Sequence, residues 1–308
     1  MLPYDIFLIF WLLISICIAV WVWQDLADRS PSLRLMKPAW ILICLYTGLF
    51  GLLAYELTCR RTKPSIASHR RFRVSSRRQA VASTVHIVVG AATGIILAAS
   101  IAAIFSLPTI PEIILEYLFA FAFAIFFIQL TYHRPLYDSY SHAFRSIFAA
   151  EWISLNFTLA AMFPVLSLCF ELLPQADHPT LLRFWFVMQL AAVAGFLAGF
   201  PMIYWLIEHK LKPTTLQHHK LHTSSDNCPT RVAPPHAPSI IPYAKQQDRP
   251  EQSPRINKPS LLAIHIRHYY ARLVTSALLS CLLLAAGLTI ALYLTPILPT
   301  IEFTFTSQ

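Results

Sequence analysis

The residues of this sequence most able to do chemistry are ionisable side chains inside long apolar runs. His86 lies in the run 80–106, and Glu151 lies in the run 146–172. A charged side chain at the centre of a membrane helix costs about 2.5–3.5 kcal/mol on insertion scales, so it normally has a partner. Both residues lie at similar depth, and we expect them to face each other. The pair would either handle a proton or a cation, or form an interhelical hydrogen bond that fixes packing.

Four more polar residues are predicted to lie at membrane depth. Gln129 and Asn156 are expected near the first pair, in the same half of the bundle. Glu116 and Gln189 are similarly matched with each other in the opposite half. Buried polar groups need hydrogen-bond partners, so each of these residues is a candidate for a site or for an interhelical contact.

Two glycine pairs are spaced for close helix packing. Gly90 and Gly94 share one helix face, as do Gly195 and Gly199. Because residues four apart lie on the same side of a helix and glycine has no side chain, a second helix can approach closely there. The pattern predicts contact between the third and sixth apolar segments.

A histidine-rich tract lies in a polar, basic segment. His218, His219 and His222 are weak candidates for metal binding, since histidines with open spacing in a flexible, basic segment bind a metal ion only weakly. A solvated tract is the preferred interpretation. The sequence has no GxSxG, GxxxxGK[ST], HExxH or GxGxxG motif, so no catalytic residue is assigned and no cofactor is predicted.

The composition indicates that lipid is the solvent of the elements carrying these residues. Hydrophobic residues make up 56% of the 308 residues and charged residues only 13%, whereas soluble domains are nearer half apolar and a quarter charged. The sequence predicts an all-α, polytopic membrane helix bundle of about seven transmembrane helices. The predicted spans are 6–23, 38–57, 80–106, 113–132, 146–172, 184–207 and 273–295.

Basic residues lie in alternate connections between these spans. With a cytoplasmic N-terminus, the inner connections hold 20 of the 24 Lys and Arg residues and the outer ones hold four. Cytoplasmic loops retain this excess, so the C-terminus is predicted outside. The bias favours contact with the lipid bilayer, with anionic lipid at the basic loops and a possible protein partner, and not nucleic acid.

The chain divides into three predicted parts. Residues 1–207 form a six-helix membrane bundle, and residues 273–308 form the seventh helix with a short outer tail. Between them, 208–272 is basic and rich in Pro and His, which predicts a largely disordered cytoplasmic linker.

Several stretches resemble a bacterial membrane family known as a domain of unknown function, DUF4396. The resemblance runs in order over about residues 36–212 and is carried by Met36-Lys37-Pro38-Ala39-Trp40, Leu45-Tyr46-Thr47-Gly48, Ala92-Thr93-Gly94-Ile95, Leu115-Glu116-Tyr117, Glu151-Trp152, Arg183-Phe184-Trp185-Phe186-Val187-Met188-Gln189 and Gly195-Phe196-Leu197-Ala198-Gly199-Phe200-Pro201-Met202. It implies a membrane bundle in a bacterial inner membrane, but no activity. The chain departs from the family pattern at Ile87 and Ala91, where the resemblance leads us to expect Cys and Asp beside His86. Any metal or proton site built from those residues is therefore mostly missing.

Two functional hypotheses remain. The first is a non-enzymatic bundle, either transporter-like or a membrane scaffold. The alternative is a membrane-embedded metal-handling or redox protein that uses His86, Glu151 and Glu116.

Overall fold

The structure, a computed structural model, describes residues 3–27, 37–60, 75–125, 140–212 and 258–297. These residues form helices and their connections, with no β-strand among them. Gln129, His218, His219, His222 and residues 213–257 of the predicted linker lie outside the described ranges. The helices are α1 (Pro3–Ala27), α2 (Lys37–Thr47), α3 (Leu49–Tyr55), α4 (Ser76–Phe105), α5 (Thr109–Phe121), α6 (Tyr140–Leu172), α7 (Leu182–Glu208) and α8 (Lys258–Ile297).

In the described part of the chain, five helices contain a stretch long and apolar enough to cross a membrane. These are α1, α4, α6, α7 and α8. The predicted second span is divided into α2 and α3, and a π-helical turn, Glu56–Arg60, follows α3. The predicted fourth span begins with α5 and continues as π-helix over residues 122–125. The all-helical, membrane-compatible architecture is confirmed, whereas seven spans and the orientation remain predictions.

Gly48 interrupts the predicted second span. Its φ of 56° and ψ of −125° lie outside the helical region. Glycine adopts such a conformation at little cost because it has no Cβ. A Cβ here would also lie 2.9 Å from the Ser15 hydroxyl oxygen of α1. The break therefore depends on glycine both for backbone conformation and for space.

Helix α4 lies at the centre of the bundle and contacts α2, α5, α6 and α7. One of its sides contributes Ile87 and Ile95 to a core shared with α5, α6 and α7. Another side packs Val85 and Val88 against Trp40 of α2. Burial on several sides explains why this helix is apolar around most of its circumference. By contrast, α8 packs mainly on α6 and exposes large apolar side chains, as expected for a surface that faces lipid.

The two glycine pairs permit close packing of neighbouring helices. A Cβ on Gly90 would lie 2.4 Å from the Ala124 backbone, and one on Gly94 would lie 2.5 Å from the Ala120 backbone, so both glycines pack against α5 and its continuation. Gly195 and Gly199 face Thr158 of α6, and a Cβ on Gly199 would also lie 3.9 Å from the Thr84 side chain of α4. Helices α4 and α7 do contact each other, but through larger side chains. The predicted contact between these two helices is therefore present, although the nearest neighbours of the glycines lie mainly on α5 and α6.

The predicted linker is helical or packed at both of its ends. Helix α8 begins at Lys258, well before the expected start at 273, because the segment Leu261-Leu262-Ala263-Ile264 has good helix formers and apolar character. At the other end, residues 209–212 follow α7 and pack against the bundle. The prediction of a largely disordered segment does not hold for these two stretches.

Candidate functional site

A buried ion pair joins Glu151 of α6 to Lys212, which follows α7. The Lys212 Nζ donates to Glu151 Oε2 at 2.7 Å and to Ser154 Oγ at 3.2 Å. The Lys212 side chain is 1% exposed and that of Glu151 is not exposed. Ser154 in turn donates to the Ala150 carbonyl at 2.7 Å. Burial of a single charge without its partner is costly, so each of these two side chains requires the other to remain buried. The pair therefore holds the segment after α7 against α6.

A capping turn at the end of α7 directs Lys212 inward. Lys210 has a φ of 57°, in the left-handed region. The Leu211 amide donates to the Leu206 carbonyl at 2.8 Å, and the Lys210 amide donates to the Ile207 carbonyl at 3.0 Å. These two bonds form a Schellman motif. Its usual apolar contact is present, because Leu211 and Leu206 belong to one buried cluster. The turn reverses the chain and places the next residue, Lys212, against α6.

One half of the Glu151 carboxylate has no partner. Its Oε1 atom is buried and receives no hydrogen bond from the residues that the structure describes. Burial lowers the pKa of Lys212, and the adjacent carboxylate opposes this effect. A lysine with a lowered pKa can release its proton more readily than an exposed one. The arrangement is thus a buried acid and base with spare acceptor capacity.

His86 of α4 lies near this pair but does not bind Glu151. Its Nδ1 contacts the Ala82 carbonyl at 2.9 Å. The side chain is buried, within electrostatic range of Lys212. In the described part of the chain, Glu151 Oε2 is paired with Lys212 and Oε1 has no hydrogen-bond partner, so the carboxylate is not bonded to His86. The direct pair expected from the sequence is not formed, because Lys212 takes the position opposite the carboxylate.

Lys212 is not among the residues predicted for the site, because it lies in the segment 208–272 that was interpreted as a linker. The available signal was local: Leu211, an apolar residue, comes three residues after α7 and directly before the lysine. An apolar residue just past a helix end is typical of a Schellman cap. That pattern would have predicted a chain turning back towards the bundle.

Asn156 of α6 connects three helices. Its Oδ1 accepts from the Tyr117 hydroxyl of α5 at 3.1 Å, and its Nδ2 donates to Ser280 Oγ of α8 at 3.4 Å. The Trp152 indole also donates to the Tyr117 hydroxyl, at 3.2 Å. Both ends of the amide are therefore occupied. These hydrogen bonds between helices indicate that Asn156 fixes helix packing.

Gln189 of α7 stabilises the break at Gly48. Its Nε2 donates to the Leu45 carbonyl at 2.8 Å and to Ser15 Oγ at 3.1 Å, while its Oε1 accepts from the Trp11 indole. The helix break leaves carbonyls of α2 without their usual partners, and a membrane offers no water to satisfy them. Gln189 supplies a replacement donor. It is not joined to Glu116, with which the sequence matched it.

Glu116 of α5 lines a separate cavity with other acidic residues. Across the parts of the chain that are described, His, Cys, Asp and Glu side chains nowhere form a group of three or more that could hold a metal ion. His86, Glu151 and Glu116, the residues of the metal-handling alternative, are therefore not gathered into one such group.

The fold and site define a class: an all-helical protein with several membrane-compatible helices and a buried ion pair. Residues 76–212 match the family model described as domain of unknown function (DUF4396). The resemblance found in the sequence is confirmed over that range. The match ends at Lys212 and includes Glu151, Glu116 and Gln189. No curated protein and no solved structure matches the chain.

Proposed function

We propose that this protein is an ion-coupled, transporter-like membrane protein, and that Glu151 and Lys212 form its coupling site. The observation that carries the proposal is the fully buried Glu151–Lys212 pair with one carboxylate oxygen left unsatisfied. Ionisable residues buried among membrane helices are rare and commonly mark ion or proton pathways. A pair needed only for packing would be expected to satisfy every buried acceptor.

The position of Lys212 favours a switchable pair over a permanent one. The lysine lies four residues past the end of α7 and is connected to the helix by the capping turn around Lys210. A change in this short segment would move the ammonium group without moving a whole helix. Release of Lys212, or protonation of Glu151, would free the carboxylate for an incoming cation. A transporter that alternates between two states needs an element with two arrangements, and the segment that carries Lys212 could supply it.

The wider setting of the proposal is a multi-pass protein of a bacterial inner membrane. The excess of Lys and Arg in alternate connections supports a cytoplasmic N-terminus and an outer C-terminus. In that orientation the Glu151–Lys212 pair lies towards the cytoplasm. The basic connections would meet anionic lipid headgroups, which attract polybasic segments. A protein partner at the same surface is compatible with this arrangement.

Charge movement across liposomes tests the proposal. The full chain is reconstituted, and capacitive currents are recorded on a solid-supported membrane after jumps in pH and in a panel of small charged solutes. We expect a solute-dependent current that Glu151→Gln and Lys212→Met each reduce about tenfold or more, because each removes half of the coupling pair. Glu208→Gln is the matched control, since Glu208 is exposed at the end of α7.

The variants must remain folded for this comparison, which size-exclusion chromatography and circular dichroism in detergent establish. Equal currents from the wild type and both pair variants would overturn the coupling role. The absence of any solute-dependent current from the wild type would favour the scaffold hypothesis instead.

A further inference from the structure

A second site lies at the opposite end of the bundle from Lys212, beside the connections 106–108 and 173–181. It is a cavity of about 110 Å³ between α5, α6 and α8. Its walls are mainly apolar and include Phe163, Leu166 and Phe170 of α6. Four acidic residues line it as well: Glu112, Glu116, Glu171 and Asp177. No Lys, Arg or His is among the described residues that line it.

The acidic residues differ in depth. Glu171 and Asp177 are exposed, Glu112 is half-buried, and Glu116, one helical turn further along α5, is buried. A cleft lined by charges of one sign, with low-dielectric walls, concentrates ions of the opposite sign. The cavity is therefore arranged to draw a cation from the aqueous phase towards Glu116.

Glu116 is the independent observation that points to a ligand. The residue is only 5% exposed. Within the described residues its carboxyl group has no hydrogen bond and no ion pair, and its charged neighbour on the same helix face is Glu112, of like sign. A buried carboxylate without a partner is costly. A bound cation would provide the missing partner.

The shape of the site distinguishes between kinds of cation. A metal ion needs several ligand oxygens around one point, and the described acidic side chains do not form such a group. A single carboxylate beside aromatic and aliphatic walls instead suits an ammonium group with an apolar body. Phe163 and Phe170 can cover that body, and an aromatic face attracts an organic cation.

We propose that this cavity is a binding site for a small organic ammonium cation, with Glu116 receiving the charged group and Phe163 and Phe170 enclosing the apolar part. The proposal concerns binding, and it stands whether or not the Glu151–Lys212 pair couples transport.

Equilibrium dialysis of the full-length protein in detergent at low ionic strength tests this site. The probes are radiolabelled tetramethylammonium, choline and n-butylammonium, with neutral 3,3-dimethylbutanol as an uncharged analogue of choline. We expect saturable binding of at least one cation at one site per chain, and none of the neutral analogue. Glu116→Gln keeps the side-chain shape and should weaken binding about tenfold or more, because it removes the charge-assisted contact.

Two further variants make the outcome specific. Glu208→Gln, which removes an exposed charge at the far end of the bundle, should leave affinity within about twofold of the wild type. Phe170→Leu keeps an apolar wall but removes the aromatic face, and should weaken cation binding by several fold. Failure of all three cations to bind, or equal affinities for the wild type and Glu116→Gln, would overturn the proposal.

Discussion

Replacing Lys212 with methionine should destabilise the protein far more than a lysine substitution outside a spanning helix normally does. The change keeps an unbranched side chain of similar length and removes only the ammonium group. The Glu151 Oε2 atom then loses its donor at 2.7 Å, and Oε1 has none to replace it. The 0% exposed carboxylate would have to stay charged without a partner or take up a proton. Removing one member of a buried pair typically costs about 3–5 kcal/mol.

A second substitution separates the charge effect from the loss of packing. Glu151→Leu combined with Lys212→Met removes both charges, and apolar replacements of a buried pair are often close to neutral. We therefore expect the double variant to recover most of the loss, which gives a coupling energy of about 2 kcal/mol or more. Lys210→Met is the control, because Lys210 is exposed two residues away. The free energy of unfolding is measured by titration with denaturing detergent in mixed micelles, followed by circular dichroism.

A Lys212→Met variant as stable as Lys210→Met would show that the ion pair does not stabilise the protein. Strict additivity of the two changes in the double variant would show the same, because independent residues do not couple.

Three further predictions concern packing, the helix break and topology. Gly94→Ala should lower the free energy of unfolding by about 1–3 kcal/mol, because the new Cβ would lie 2.5 Å from the Ala120 backbone. Ala103→Val is the control and should change the free energy of unfolding little, because Ala103 is at an exposed position of α4. Gln189→Leu should lower the free energy of unfolding by about 1–3 kcal/mol, because it leaves the Leu45 carbonyl without a hydrogen-bond donor. A variant as stable as the wild type would show that the backbone at the helix break does not need this donor. A reporter active only in the cytoplasm should be active when inserted in 213–257 and silent when fused after Gln308; the reverse pattern would contradict the orientation.

Much of the fold was readable from apolar length, because lipid demands long helices whose backbone bonds are all internal. The ends of α4, α6 and α7 fall close to the predicted span limits. Interruptions were less readable. Gly48 sits in an apolar run that looks continuous, and only its contact with Ser15 and the donor on Gln189 explain the break. These partners come from distant parts of the chain, so no local pattern reveals them.

The candidate site was predictable in its residues but not in their pairing. Burial of His86, Glu151, Asn156, Glu116 and Gln189 follows from their places in apolar runs. Depth alone does not decide which of them meet, because each helix can rotate about its own axis. The partners of Asn156 and Gln189 are tyrosine, serine, tryptophan and backbone groups. Similar depth in the membrane did not predict these partners.

The two proposed sites differ in how each buried carboxylate is compensated. Glu151 is neutralised from within the chain by Lys212, whereas Glu116 has no such cation in the described structure and lines a cavity. Burial of a charged carboxylate is costly at both positions. The charge of Glu116 must therefore be compensated by a cation from outside the chain, or removed by proton uptake. An external cation would compete with a proton for Glu116. For Glu151 it would first have to displace Lys212. Substitution of Glu116 should therefore weaken cation binding with little loss of stability, whereas substitution of Lys212 should lower both the stability of the protein and its solute-dependent current. Loss of organic-cation binding in Lys212→Met but not in Glu116→Gln would contradict the assignment of the two sites.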